Sequence, residues 1–336
     1  MKTHPQVLTI GRSSIDLYSQ NIGAAFEEIQ GFDAFVGGSP LNIAVGCSRL
    51  GIKTSLLTAV GQDKVGSFIL NFLNRENIDT SLIPTKANAR SSAVVLGIEP
   101  PDRFPLVFYR DNAADSQIDI DDVLRTQIER YEIVLLNGTA LNKEPSRSAC
   151  FLAAEIASKS KAQTLLDLDF RADQWHDYRA FGITIRSLLS RIDIAIGTEE
   201  EILAATLRDK EAVSITHQQI SSPTIRGNLH AAIDELLTLG PKVLIVKRGA
   251  RGASVYCKGD DPIEVPGFPV EILNTLGAGD AFASGFIYGL LQQWDWYKSC
   301  RMGNASGAQV VLQKGCANFM PTLKESLEFI KTHGGF

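Results

Sequence analysis

Asn274-Thr275-Leu276-Gly277-Ala278-Gly279-Asp280 runs straight into Ala281-Phe282-Ala283-Ser284-Gly285-Phe286-Ile287-Tyr288-Gly289-Leu290-Leu291. A glycine-rich turn feeds an apolar helix, and a carboxylate stands at the junction. The first N–H groups of a helix lack intrahelical partners and carry partial positive charge, so they attract anions. Gly277 and Gly279 have no Cβ and let the backbone close on a phosphate. Asp280 then faces whatever receives that phosphate. Ala281, Ala283, Gly285 and Gly289 are small enough for deep burial behind such a site. The same glycines also fit a plain strand-to-helix turn.

Outside this stretch, the composition narrows the class. The chain has 336 residues, 44% hydrophobic and 21% charged, enough for a large core. Its formal net charge is −5, which lacks the basic footprint of a nucleic-acid binder. Cys47, Cys150, Cys257, Cys300 and Cys316 form no C-x-x-C pair, so they read as thiols in a reducing compartment. No apolar run is long enough to span a membrane. Met1 to Gln6 leads directly into a strand-like run without the pattern of a secretion signal. A cytoplasmic protein without membrane or nucleic-acid partners is expected.

Apolar runs at 7–10, 133–136, 164–168, 192–196 and 243–246 read as buried strands. Segments 40–50, 64–77, 145–160, 199–206, 228–238, 280–292 and 297–312 read as helices. The alternation predicts an α/β fold with a mostly parallel central sheet and helices on both faces. Its active-site crevice would lie at the strand ends. Residues 12–36 and 89–112 alternate like strands and are expected to form a small separate β-sheet, a lid over the crevice. Residues 207–227 read as a polar surface insertion. No linker divides the chain, so residues 1–336 are expected to be a single domain.

The sequence contains no G-x-x-x-x-G-K-[ST] loop and no G-x-G-x-x-G after the first strand. P-loop and dinucleotide chemistries are therefore disfavoured. The turn at 274–280 resembles the C-terminal signature of the ribokinase-like (PfkB-type) carbohydrate kinases. Four further blocks carry the resemblance across nearly the whole chain. Gly37-Gly38-Ser39-Pro40-Leu41-Asn42-Ile43-Ala44 is similar to the N-terminal glycine-pair motif, and Gly11-Arg12-Ser13-Ser14-Ile15-Asp16 to the first strand with its sugar-binding aspartate. Val246-Lys247-Arg248-Gly249-Ala250-Arg251-Gly252-Ala253 is similar to the strand and turn beside the nucleotide. Gly61-Gln62-Asp63-Lys64-Val65-Gly66 matches another family block.

The resemblance implies a ribokinase-like fold that binds ATP and Mg2+. It implies Asp280 as the base for the attacking hydroxyl, and Gly277, Ala278 and Gly279 as an anion hole. A carboxylate at a helix N-terminus is held as an anion, so Asp280 is expected to have a low pKa. Positioning the hydroxyl would then outweigh early deprotonation. Asp16, Gly37, Gly38 and Asn42 are implied on the sugar side. Without the resemblance, Asn42 reads as a helix cap and Asp16 as a turn residue. Lys247, Gly249, Gly252 and Asn304 are implied on the nucleotide side. Glu200 would reach the magnesium through water, although Gly197 replaces the family's asparagine three residues earlier; a solvated first helical turn is the alternative. Asn274 stands where the family has an aspartate that often helps to hold a potassium ion, so a K+ site would rely on backbone carbonyls.

Arg110, in Phe108-Tyr109-Arg110-Asp111, and Arg171, in Leu166-Asp167-Leu168-Asp169-Phe170-Arg171, point to the substrate class. A guanidinium fork suits a carboxylate, and a neutral sugar needs none. Two of them in one crevice favour a sugar acid. Ion pairs with Asp111 or Asp173 are the alternative. Both segments resemble those of the family's sugar-acid kinases, nearest to the branch acting on 5-dehydro-2-deoxygluconate in inositol catabolism. Kinases of 2-keto-3-deoxygluconate come next, then those of ribose and fructose. A catalytically inactive sugar-acid sensor on the same fold is the competing class. A lid with an exposed sheet face would also suit a homodimer.

Overall fold

The computed structural model describes residues 5–100, 103–215 and 223–336. The five apolar runs form the middle of an eight-stranded sheet. Its order is Ile263–Val265, Ala253–Cys257, Val243–Lys247, Ile194–Thr198, Gln163–Asp167, Ile133–Asn137, Val7–Ile10 and Thr54–Leu57. Pairing is parallel from Val243–Lys247 to Thr54–Leu57, and the other two strands join antiparallel. Both faces are covered, as the unbroken apolar runs require. Along one strand, Ile133 and Leu135 enter one layer while Val134 and Leu136 enter the other.

The first layer holds the helices Ser39–Arg49, Ala278–Leu291 and Trp296–Val310. The last two pack closely because a Cβ on Gly285 would lie 2.7 Å from the Met302 carbonyl oxygen and the Ser306 hydroxyl. The second layer holds Ser146–Ser158, Tyr178–Leu188, Glu199–Ala205 and Leu229–Thr238. There Phe181 is fully buried against Phe170 and Trp175.

Several elements depart from the sequence reading. The strand expected at 192–196 is Ile194–Thr198. The Asp193 carboxylate accepts from the Thr164 backbone N–H at 3.0 Å and from its hydroxyl at 2.9 Å, so this residue closes a turn. Helices Tyr178–Leu188 and Leu323–Thr332 and the antiparallel edge strands were not anticipated. The first helix mixes Gly182 with β-branched Ile183, Thr184 and Ile185, which mask a helical pattern. In the expected insertion, Val213–Ser214 pairs with Thr224–Ile225, and residues 216–222 lie outside the described set. The five cysteines are free thiols.

The stretches at 12–36 and 89–112 supply a separate four-stranded sheet, ordered Phe32–Gly37, Ser14–Ser19, Ser92–Leu96 and Leu106–Tyr109. Its inner face buries Tyr18, Val94, Leu96 and Leu106, and Leu276 from the glycine turn packs against this cluster. The Phe35 ring meets Tyr18 and Phe319, each at 5.5 Å between centroids. The lid thus rests on the turn that carries Asp280. None of the described helices is long and apolar enough to cross a membrane.

Leu166, fully buried in a central strand, tests this core. Leu166→Ala is expected to cost about 2–5 kcal/mol through lost transfer energy and the cavity left behind. Urea unfolding monitored by circular dichroism measures it, and a cost under about 1 kcal/mol would contradict the packing.

Candidate active site

The turn is held in a shape that favours glycine. Gly277 precedes the helix with φ at +86°, and a Cβ there would overlap the Cys316 sulfur. Asn274 is fully buried. Its Oδ1 accepts from the Leu276 N–H at 3.0 Å, and its Nδ2 donates to the Lys314 carbonyl at 3.1 Å. Both ends of this amide are engaged inside the chain. The Ala278 N–H leans back on the Thr275 carbonyl at 3.4 Å, so within the expected anion hole it is the one with a weak internal acceptor. A Cβ on Gly279 would lie 3.1 Å from the Lys247 ammonium, which places that cation at the turn.

Asp280 lies in the first turn of the helix and is half-buried in the cleft wall. Its Oδ2 accepts from Asn42 Nδ2 at 2.7 Å and faces the Cys316 thiol at 3.8 Å. Burial and the nearby Asp169 carboxylate push its pKa up, opposed by hydrogen bonds from Ser39 and Asn42 and by the Arg171 charge. The low pKa expected from the helix terminus is thus reversed, because desolvation of the anion outweighs the dipole. Asn42 lies inside the helix Ser39–Arg49, whose N-cap is Gly38, so it is not a cap. Its Oδ1 is buried without a partner among the described residues.

Asp16 lies on the lid strand Ser14–Ser19 rather than in a turn. It accepts from the Ser14 hydroxyl at 2.6 Å, and a Cβ on Gly37 would overlap its carboxylate. Gly38, with φ at +109°, presses on the Arg12 carbonyl, where a side chain would collide. The glycine pair therefore lets the first helix of the sheet domain approach the lid. Burial raises the Asp16 pKa, with the Arg12 charge and the Ser14 hydrogen bond opposing and Asp280 adding to the rise.

A cleft of about 810 Å³ runs from Asp280 past Lys247 to the turn at Gly249 and Gly252 and to Asn304. Asn304 Nδ2 donates to the Val265 and Pro266 carbonyls at 3.1 and 3.0 Å, tying the cleft wall to the edge strand. Lys247 Nζ lies 3.1 Å from Asp167 Oδ1 and 3.8 Å from Glu201 Oε2. Burial raises the Asp167 pKa, and the Lys247 charge opposes that rise. The sequence reading missed Asp167, Asp169 and Glu201. The paired carboxylates of Asp167-Leu168-Asp169 were the available signal.

Among three successive glutamates, Glu199 pairs with Arg251 at 2.7 Å. Glu201 closes the capping box with Thr198. Glu200 lines the cleft, with no ion pair to a described residue. No cluster of three or more metal-ligating side chains exists among the described residues. A lone free carboxylate beside a phosphate-sized space fits a magnesium ion that keeps most of its water.

Arg171 lines the cleft, held by Asp169 at 2.6 Å and near Glu201 at 3.8 Å. Arg110 is buried and is not part of that wall. Its partner is Asp115 at 2.5 Å, rather than Asp111 or Asp173, and its Nη1 donates to the Thr139 carbonyl and Gln174 Oε1.

The family model for pfkB family carbohydrate kinases matches residues 4–323. A 5-dehydro-2-deoxygluconokinase of Clostridium botulinum (strain Alaska E43 / Type E3) is 33% identical over 328 residues, covering 97% of this chain and 93% of that protein. A ribokinase II candidate of E. coli, solved with ATP and Mg2+, aligns at TM-score 0.83 and 22% identity over 98% of this chain and all of that one. A double mutant of fructokinase from Vibrio cholerae O395, solved with fructose, ADP and potassium, aligns at TM-score 0.80 and 22% identity over 98% of this chain and 99% of that one. The ribokinase-like α/β fold is therefore the one this sequence adopts, and the chain belongs to the pfkB family of carbohydrate kinases, ATP-dependent phosphotransferases.

Proposed function

We propose that the protein phosphorylates the terminal hydroxyl of a sugar acid, with 5-dehydro-2-deoxygluconate converted to its 6-phosphate and Mg2+–ATP as donor. The observation that carries this reading is the Asp280 carboxylate, half-buried at the helix N-terminus, bonded by Asn42 and flanked by Gly279 with Lys247. The substrate oxygen attacks the γ-phosphorus as the bond to the β-phosphate oxygen breaks, and ADP leaves. Asp280 accepts the hydroxyl proton. Its raised pKa makes it a better base than an exposed carboxylate. The Gly277 and Gly279 N–H groups and the Lys247 ammonium meet the charge on the transferring phosphoryl oxygens.

Glu200 would hold a magnesium ion through water, and such an ion would supply charge neutralisation for the nucleotide's phosphates. The Gly249–Gly252 turn and Asn304 shape the nucleotide side. Asp16 and Asn42 face the sugar with an acceptor each. A potassium ion beside the turn would be held by backbone carbonyls, since Asn274 uses its whole amide internally. The sugar-acid class is supported by the Clostridium botulinum relative and by Arg171 on the cleft wall. The outer lid face leaves Ile15, Leu17 and Val95 half-buried and Phe32 and Tyr109 exposed. We assign it to a second copy of the chain.

ADP release with Mg2+–ATP tests the reading on 5-dehydro-2-deoxygluconate, 2-keto-3-deoxygluconate, ribose and fructose. Turnover on the first acid with inert neutral sugars is expected. Turnover on a neutral sugar alone would overturn the substrate class, and silence with intact ligand binding would favour the sensor. Asp280→Asn is expected to lower kcat by about 10²–10⁴-fold while ATP still binds. It should also raise Tm at neutral pH. A carboxylate whose folded pKa is raised opposes folding above that pKa, and the amide removes the buried charge.

The acid limb of kcat/KM should lie above the ordinary carboxylate value of 3.8, because Asp280 must be ionised to accept the proton. Asp169→Asn removes a repelling charge and should move that limb to lower pH; an unmoved limb would separate Asp169 from Asp280. For the lid, Leu17→Glu should convert a dimer into a monomer in analytical ultracentrifugation. A monomeric unmodified protein would overturn that assignment.

A further inference from the structure

The charges of three guanidinium groups, Arg171, Arg12 and Arg110, oppose the rise that burial causes in the Asp173 pKa. The three groups differ in how their own charge is met. Arg110 is paired with Asp115 at 2.5 Å and Arg171 with Asp169 at 2.6 Å. Arg12, 8% exposed, makes no ion pair with any described residue. Its Nη1 donates to the neutral Ser14 hydroxyl at 2.9 Å, and its Nε is buried with no partner. The Phe108 ring of the lid lies 5.0 Å from it.

The Asp16 and Asp173 charges act on Arg12 from nearby, but neither bonds its Nε, and a buried donor without an acceptor is costly until one arrives. Arg301, equally buried at 7% exposure, shows the ordinary solution: its guanidinium donates to the Pro266, Gly267 and Gly335 carbonyls. Arg12 has no such cage. The Ser14 contact leaves the Nε–Nη2 edge over. Arg49 uses that same edge to grip Glu76, with Nε–Oε2 at 2.8 Å and Nη2–Oε1 at 2.7 Å. Ser14 also bonds Asp16, so Arg12 is joined through one hydroxyl to the sugar side of the site.

We propose that Arg12 reads the carboxylate of the sugar acid through its Nε–Nη2 edge, while Arg171, already neutralised by Asp169, lines the cleft. This rests on the sugar-acid reading above. The carboxylate and guanidinium then form two parallel charge-assisted hydrogen bonds at the end of the substrate away from the reacting hydroxyl. A neutral sugar leaves the guanidinium unpaired and is rejected for that reason.

Isothermal titration of the intact protein with 5-dehydro-2-deoxygluconate, fructose and Mg2+–ATP tests this in wild type, Arg12→Gln and Arg12→Lys. Arg12→Gln should weaken acid binding by about 10- to 100-fold, with ATP affinity within about two-fold of wild type, which also shows that the variant is folded. Arg12→Lys keeps the charge without the fork and should recover only part of the loss. Unchanged acid binding in Arg12→Gln, or equal loss of acid and ATP, would overturn the assignment. Wild type binding the acid no better than fructose would instead overturn the sugar-acid reading, and Arg12's role with it.

Discussion

A carboxylate has to stay ionisable after most of its water has been removed, and the site is arranged around that constraint. Asp280 is half-buried at the start of a helix whose positive end favours its charge, while Asp169 opposes it. Residues from four distant parts of the chain set the balance: Asn42, Asp169, Asp280 and Cys316. Gly277 is required because the Cys316 sulfur occupies the space of its Cβ. The Leu276 side chain then carries the position of this turn into the lid. A site of this kind works against stability, since buried charge costs more than it returns unless a ligand completes it.

The cleft resolves its other charges by pairing them at close range. Lys247 lies between Asp167 and Glu201, and Arg171 between Asp169 and Glu201. Such pairs contribute little net stability, because desolvation offsets their attraction. Their use is orientation: the cations are held in place before an anionic ligand arrives, so little reorganisation remains for the reaction. The pattern also makes an unpaired cation conspicuous.

Sequence alone carried the layers of the fold and the turn at its centre. Buried parallel strands are continuous apolar runs, and such runs at 7–10 and 133–136 are legible without a partner. The edge hairpin Ala253–Cys257 with Ile263–Val265 interleaves apolar residues with Ser254 and Glu264, and that mixed pattern hides it. Site residues near glycine motifs could be named because local backbone demands betray them. Cys316, Asp169 and Arg12 could not, since their meaning arises from contacts across the fold. Local reasoning also gave Asp280 the wrong pKa direction: a helix terminus is visible in a sequence, but the depth of its burial is not. Arg110 was placed on the substrate for its residue type, whereas Asp115, five residues away, already holds it.

The order of the strands has a consequence for how the protein is made. All four lid strands, the glycine pair and Asn42 lie within the first 109 residues. The turn at 274–280, the helix that follows it and Cys316 come from the final quarter of the chain. During synthesis, the lid and the glycine pair can therefore be laid down well before the turn to which we assign phosphoryl transfer exists. The lid's inner apolar face waits for Leu276 and Phe319 to cover it. A nascent or prematurely ended chain would display that greasy surface, which makes the last quarter the seal that completes the molecule.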